Sequence, residues 1–224
     1  MKRVSLLLIF LIPLLSYSQT EKPEPKFPNA GNTYVTFDIL TPFDPYNPRY
    51  RIGLIQSLNK SWSIGLDVGY GNEAITISND GTGPGDDYRL YEIRSEIYHI
   101  LNPTRRVNHY LSGEVFYINH SETFLDNSYE TEQDEMIIDY ESADYHRKKY
   151  GLHIKYGVII PFGEHVGMNF YVGAGVRVRD NEFSNVVVSE EWDDNEYFLD
   201  IGPRREGTQT APNFALGIKI FCKL

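Results

Sequence analysis

From residue 33 to the end of the chain, apolar and polar side chains alternate with a period of two. This alternation is typical of β-strands whose two faces meet different surroundings. No segment of this region repeats apolar residues at the i, i+3, i+4, i+7 spacing over helical length. The pattern predicts an all-β chain with eight strands, at residues 33–40, 50–58, 62–77, 88–101, 109–119, 148–161, 166–179 and 213–224.

The connections between these strands alternate in length. The three short ones are 59–61, 102–106 and 162–165, and the four long ones are 41–49, 78–87, 120–147 and 180–212. Nothing in the architecture of a soluble β-sandwich favours a strict alternation of short and long connections. Outer-membrane barrels show this alternation, because their periplasmic turns are short and their external loops long. Several predicted strands also exceed the 9–11 residues that cross a bilayer.

The first 18 residues have the layout of a secretory signal peptide. Lys2 and Arg3 precede a short apolar run, and Ser16 and Ser18 offer small side chains at a cleavage site. The apolar run has 12 residues, at 4–15, and is shorter than the roughly 20 residues that a spanning helix needs. We expect a signal peptide at 1–18, a Pro-rich periplasmic linker at 19–31 and a barrel at 32–224.

The composition excludes several classes of function. Of the 224 residues, 31 are acidic and 21 are Lys or Arg, so the formal net charge is −10. An acidic chain without a basic run argues against nucleic acid as a partner. Cys222, the single cysteine, excludes an intramolecular disulfide and a thiolate zinc site.

Most of the surplus acid lies in the long connections 120–147 and 180–212. Neither has the spacing of an EF-hand, so we expect no cofactor and no specific metal site. An extracellular ligand, or divalent cations held loosely by the acidic loops, remains open as a partner.

Taken together, the pattern resembles the small eight-stranded outer-membrane β-barrel proteins over residues 33–224. The resemblance implies an antiparallel up-and-down transmembrane barrel in the outer membrane of a Gram-negative bacterium. It also implies contact with outer-membrane lipid, and recognition of the C-terminal strand by the barrel-assembly machinery. This chain departs from the family by ending on Leu224 instead of an aromatic residue, with Phe221 three positions earlier. Apolar triplets at 136–138 and 186–188 extend hairpins above the membrane or add two strands, giving ten.

If the apolar faces meet lipid, the opposite faces point into the barrel. Those faces carry equal numbers of acids and bases, with one histidine among them: Asp38, Asp67, Glu92, Glu96, Glu114, Arg51, Arg94, Lys155, Arg177, Lys219 and His153. The lumen of an eight-stranded barrel is only wide enough for side chains, and charges out of water must pair. The balanced count predicts a plugged, ion-paired interior.

Aromatic residues on the lipid faces are candidates for the two interfacial girdles. Trp62 and Tyr70 lie on one face of the third strand and are eight residues apart, about 26 Å at the usual rise. The other candidates are Tyr50, Tyr91, Tyr117 and Tyr150.

The sequence favours a structural or interaction scaffold that presents long acidic external loops. One alternative is a narrow porin-like channel. Another is a barrel-embedded lipid-modifying enzyme, for which the only local cluster of base, nucleophile and acid is His120, Ser121 and Glu122. Neighbouring strand residues point to opposite faces, and no GxSxG motif is present, so we do not expect an enzyme.

Overall fold

The computed structural model describes residues 31–75, 86–132, 134, 136–189 and 204–224. The expected signal peptide and all of the expected linker except Gly31 lie outside these residues. Within the described part of the chain, no helix is long and apolar enough to cross a membrane.

Eight strands, of 6 to 25 residues, make up the wall of the molecule. They are β1 Thr33–Asp38, β2 Tyr50–Ser57, β3 Trp62–Asn72, β4 Asp86–Ile100, β5 Asn108–Glu130, β6 Ile137–Pro161, β7 Val166–Val188 and β8 Gly207–Lys223. A 3-10 turn, Thr41–Phe43, follows β1. The two-residue segment Arg204–Arg205 pairs in parallel with Tyr129 and Glu130.

Each strand pairs antiparallel with the next, and β8 pairs with both β7 and β1, so the sheet closes into a ring of eight. The prediction of an antiparallel up-and-down barrel is confirmed, with eight strands in the ring instead of ten. The register, followed once round the ring from Lys219, returns to Gln209, ten residues away on the same strand. A shear of ten tilts eight strands by about 40° to the barrel axis.

Alternation places apolar side chains outside and polar ones inside. On β6, for example, Leu152 and Ile154 are exposed, whereas His153 and Lys155 are buried. Two inner-face glycines are needed for packing, because a Cβ at Gly157 would lie 2.2 Å from the Tyr110 ring and one at Gly173 would lie 2.5 Å from Cγ of Lys155. The side chain of the register partner on the neighbouring strand occupies that space in each case.

The sequence placed the upper boundaries of β5, β6 and β7 too low, and that of β8 as well, which begins at Gly207 instead of residue 213. Most of the expected loop 120–147 is strand, because β5 continues to Glu130 and β6 begins at Ile137. β7 likewise continues to Val188. The reason is a second apolar core above the barrel, formed by Phe124, Tyr129, Tyr140, Ala143, Tyr145 and Phe183. Acids flank those aromatic residues, and irregularities at Asp126 and between Tyr140 and Asp144 interrupt the period of two, so the alternation could not be followed through this region.

Candidate functional site

The lower end of the lumen is filled by a layer of large side chains. Its members are Tyr34, Ile55, Tyr98, Ile100, Tyr110, Ile159, Tyr171 and Phe221. The Tyr98 and Tyr110 rings meet edge to face, with centroids 5.1 Å apart. The Tyr110 hydroxyl donates to Oδ1 of Asn169 across the lumen, at 2.9 Å. This layer lies at the end of the barrel where the short turns are.

The middle of the lumen is held by ion pairs centred on Glu114. Its Oε1 accepts from Nη1 of Arg94 at 2.7 Å and lies 3.0 Å from Nδ1 of His153. Its Oε2 accepts from Nζ of Lys155 at 2.6 Å. The four residues come from β4, β5 and β6, so the contacts tie three strands together through the interior.

A second group of ion pairs is centred on Glu92, one layer higher. Its Oε2 accepts from Nε of Arg49 at 2.6 Å, and its Oε1 contacts Nη2 of Arg94 at 2.5 Å. Arg51 pairs with Asp38 and also donates to the Tyr171 hydroxyl at 2.7 Å. These buried charges each have a partner of opposite sign, as charge burial requires.

Three buried carboxylates, of Asp67, Glu96 and Glu114, lie within 4.8 Å of one another, as the ligands of a metal ion would. Two lysines occupy the space between them. Lys155 Nζ lies 2.7 Å from Oε2 of Glu96, and Lys219 Nζ lies 2.5 Å from Oδ2 of Asp67. The ammonium groups therefore supply the positive charge that a cation would bring.

The structure brings ten of the eleven predicted interior residues into one connected network of buried side chains. The eleventh, Arg177, points inward but lies higher, where it donates to Oδ1 of Asn213 at 3.3 Å. The sequence missed Arg49, which it placed in a connection. Arg49 is two residues before Arg51, so the same alternation carried one pair further would have found it.

The enzyme candidates His120, Ser121 and Glu122 do not converge. His120 and Glu122 are both buried on the inner face, with Nε2 of His120 3.2 Å from Oε1 of Glu122. Ser121 lies on the opposite face of β5, between its register partners Arg89 and His146. The hydroxyl is therefore separated from the imidazole by the strand itself.

The girdle candidates all lie on the exterior, in two groups. Trp62 packs on His99 near the end with the short turns, with centroids 4.5 Å apart. Tyr70 and Tyr91 lie nearer the other end, 5.2 Å apart, and Tyr150 is the register partner of Tyr117 there. All of these rings except that of His99 are well exposed.

No family model matches the sequence, and no curated protein does. Among solved structures, the chain is similar to the N-terminal β-barrel domain of Pseudomonas aeruginosa OprF. That alignment covers 87% of this chain and 98% of the other, at 8% sequence identity and a TM-score of 0.46. A likeness at this level assigns no role to the chain.

The ion-paired midsection gives a prediction for Lys155. Lys155→Met leaves the buried carboxylates of Glu96 and Glu114 without this ammonium, so we expect it to lower the free energy of unfolding by about 3–5 kcal/mol. Urea unfolding of the purified protein, followed by tryptophan fluorescence, measures this. The same substitution at the exposed Lys148 is the control and should cost less than about 0.5 kcal/mol. Equal losses at both positions would contradict the network.

His120 gives a prediction about pH. Burial, the largest cause, lowers the pKa of His120, although Glu122 acts in the opposite direction. The folded hairpin therefore binds the proton less well than the unfolded chain. The stability that depends on a neutral His120 is fully present above the unfolded pKa of about 6.5 and is lost as the pH falls below that value. Amide exchange at the tip of the β5–β6 hairpin should thus become faster at about pH 5, beyond its intrinsic pH dependence. In His120→Leu that extra acceleration should disappear, and its persistence would rule out His120 as the cause.

Proposed function

We propose that this protein is an outer-membrane barrel of a Gram-negative bacterium, with a closed midsection and a surface for interactions above the membrane. The observation that carries the proposal is the inverted distribution of polarity. The described barrel buries eleven charged or ionisable groups of one network, and leaves side chains such as Leu54, Ile93 and Leu152 about half exposed. Water would penalise such an exterior, whereas hydrocarbon favours it.

The height of the apolar band supports insertion into a bilayer. Between Trp62 and Tyr70, the outward residues of β3 are Ile64, Leu66 and Val68, all exposed. The eight residues from Trp62 to Tyr70 rise about 26 Å along the strand, or about 20 Å along the axis at a tilt of 40°. That is close to the roughly 25 Å band of known membrane barrels, with an aromatic ring at each edge.

The lumen supports a scaffold in preference to a pore. Glu92, Glu114 and Lys155 are each less than 5% exposed, and the layer of large side chains at the lower end of the lumen lies beneath them. A solute moving through the barrel would have to separate buried ion pairs, which costs several kcal/mol for each ion.

The part of β5, β6 and β7 above the girdle supports an interaction role. It has its own aromatic core, and exposed acids such as Asp126, Glu141 and Glu182 lie outside that core. A rigid platform with an acidic surface suits a cationic ligand or divalent ions. We infer that the outer-membrane lipid is the partner of the barrel wall and that the assembly machinery reads β8.

Membrane insertion is tested by two leucines of similar exposure. Leu152, in the apolar band, is 48% exposed. Leu125, on the part of β5 above the girdle, is 55% exposed. Leu152→Arg should cost about 2–4 kcal/mol and impair assembly, because it places a charge in hydrocarbon. Leu125→Arg should be tolerated. The measurements are the heat-modifiable gel shift of outer-membrane fractions and the urea midpoint in vesicles.

A soluble protein would tolerate both arginines equally. That outcome, together with recovery of wild-type protein in the periplasmic fraction, would overturn the proposed location.

Closure of the midsection is tested electrically. In planar bilayers the purified protein should show no large, stable conductance, because the buried pairs of Glu92, Glu114 and Lys155 fill the lumen. A heat-modifiable sample serves as proof that folded protein was added. Steady, ion-selective channels from that sample would favour the porin-like alternative instead.

A further inference from the structure

Above the ion-paired midsection lies a cavity of about 280 Å³, here called the basic chamber. Five of the residues that line it are cationic, and Asp44 is the single acid among them. The five are Arg49, Arg51, Arg94, Arg147 and Lys149. Three of the five pair with acids of the midsection, so the excess positive charge at this height comes from Arg147 and Lys149.

Two of these cations, and two more beside them, have no acidic partner in the described part of the chain. Among the described residues, no carboxylate lies within 4 Å of Arg147, Lys149, Arg177 or Arg179. Lys149 and Arg179 are direct register partners on β6 and β7. Like charges facing each other across strands are destabilising.

Each of the three arginines, Arg147, Arg177 and Arg179, donates a hydrogen bond to a neutral side-chain amide oxygen. Arg147 donates to Asn47, Arg177 to Asn213 at 3.3 Å, and Arg179 to Gln209 at 2.8 Å. Amide partners orient the guanidinium groups without cancelling their charge. The chamber therefore has the character of a site for an anion.

The chamber also reaches the barrel exterior, through the upper part of the seam between β1 and β8. The ladder between these strands covers only 34–38 of β1, followed by one bond from the Ile39 amide to the Ile218 carbonyl. In an antiparallel strand, the N–H and C=O groups of every second residue point toward the same neighbouring strand. Because the Ile218 carbonyl points toward β1, the backbone groups of Leu216, Phe214 and Pro212 point that way too. No described residue of β1 pairs with them, and Pro212 has no N–H to offer.

Side-chain exposure marks the same opening. Phe214 is 81% and Leu216 is 76% exposed, the highest values among the large apolar side chains described. Both line the chamber, together with Leu40 and Thr41 from the other side of the seam. The opening therefore has an apolar rim and a cationic interior.

The opening lies at the edge of the apolar band. With a shear of ten over eight strands, a horizontal line departs from the register by about one and a quarter residues per strand. Traced this way, Phe214 is at about the height of the girdle residues Tyr70 and Tyr117. In a bilayer, that height is where head groups meet acyl chains.

We propose that the basic chamber binds the phosphate-bearing head group of an amphiphile from the outer leaflet, and that the acyl chain leaves through the seam between Leu40 and Leu216. The planar guanidinium group of arginine suits phosphate oxygens, and the charge of Arg147, Lys149 and Arg177, with which no described carboxylate pairs, supplies the attraction. The apolar rim explains why an amphiphile fits better than free phosphate. The inference rests on the membrane insertion proposed above.

The test uses the full mature chain in a zwitterionic detergent and titrates it calorimetrically with short-chain phosphatidic acid. Phosphatidylcholine of the same chain length and inorganic phosphate are the comparison ligands. We expect one phosphatidic acid per barrel, bound about tenfold or more tightly than either of them.

The head-group arm uses Lys149→Gln/Arg177→Gln, which should weaken phosphatidic acid binding about tenfold or more. Its matched control is Arg89→Gln/Lys148→Gln, which removes the same charge from exposed positions outside the chamber and should leave binding unchanged. Equal affinity of the two double variants, or equal binding of phosphatidylcholine by the wild type, would overturn the proposal.

The acyl-chain arm uses Leu216→Asn, with Val115→Asn as a control on the exposed face of β5. Only Leu216→Asn should weaken phosphatidic acid, and neither should change phosphate binding. If inorganic phosphate binds as tightly as phosphatidic acid and Leu216→Asn has no effect, the chamber takes free phosphate and the amphiphile is wrong.

Heat-modifiability of each variant separates failure to insert from failure to bind. If a chamber variant does not fold, the wild-type protein still tests the proposal. Raising the salt concentration about tenfold should weaken its binding of phosphatidic acid. Binding that is indifferent to salt would contradict a charged site.

Discussion

The narrowness of the lumen is the constraint on which the structure depends. Eight strands enclose a space that side chains alone can fill, so any charge that points inward is withdrawn from water. Glu92 and Glu114 are therefore tolerable only because arginines and lysines from neighbouring strands reach them. Removing one partner would leave the other as an isolated buried ion, the costliest arrangement available.

Those ion pairs also contribute to the register of the barrel. A strand that slipped by one residue would move Glu114 or Lys155 to the apolar exterior and would separate each from its partner. Glycines on the inner face have a complementary role, since Gly157 leaves the space that the Tyr110 ring occupies. Charge and volume together thus favour one arrangement of the eight strands.

The period of two was sufficient to predict the barrel, the strand faces and ten members of the interior network. It did not predict the height of β5, β6 and β7, because irregularities at Asp126 and after Tyr140 interrupt the alternation and acids surround the aromatic residues there. Nor did it reveal the basic chamber. A count of inward charges cannot show at which height they lie, and Arg177 balances the total while sitting above every acid of the network. That information exists only once tilt and shear are known.

The short ladder of β1 has a mechanical consequence. Pro42, Pro45 and Pro48 follow β1 closely, so the chain cannot continue as a paired strand, and the seam with β8 contains five register pairs. The β5–β6 interface contains 22. A wall under tension parts where the fewest bonds share the load. Forced unfolding of this cylinder should therefore begin as an unzipping between its first and last strands, and the breaking line is set by three imino acids near its beginning.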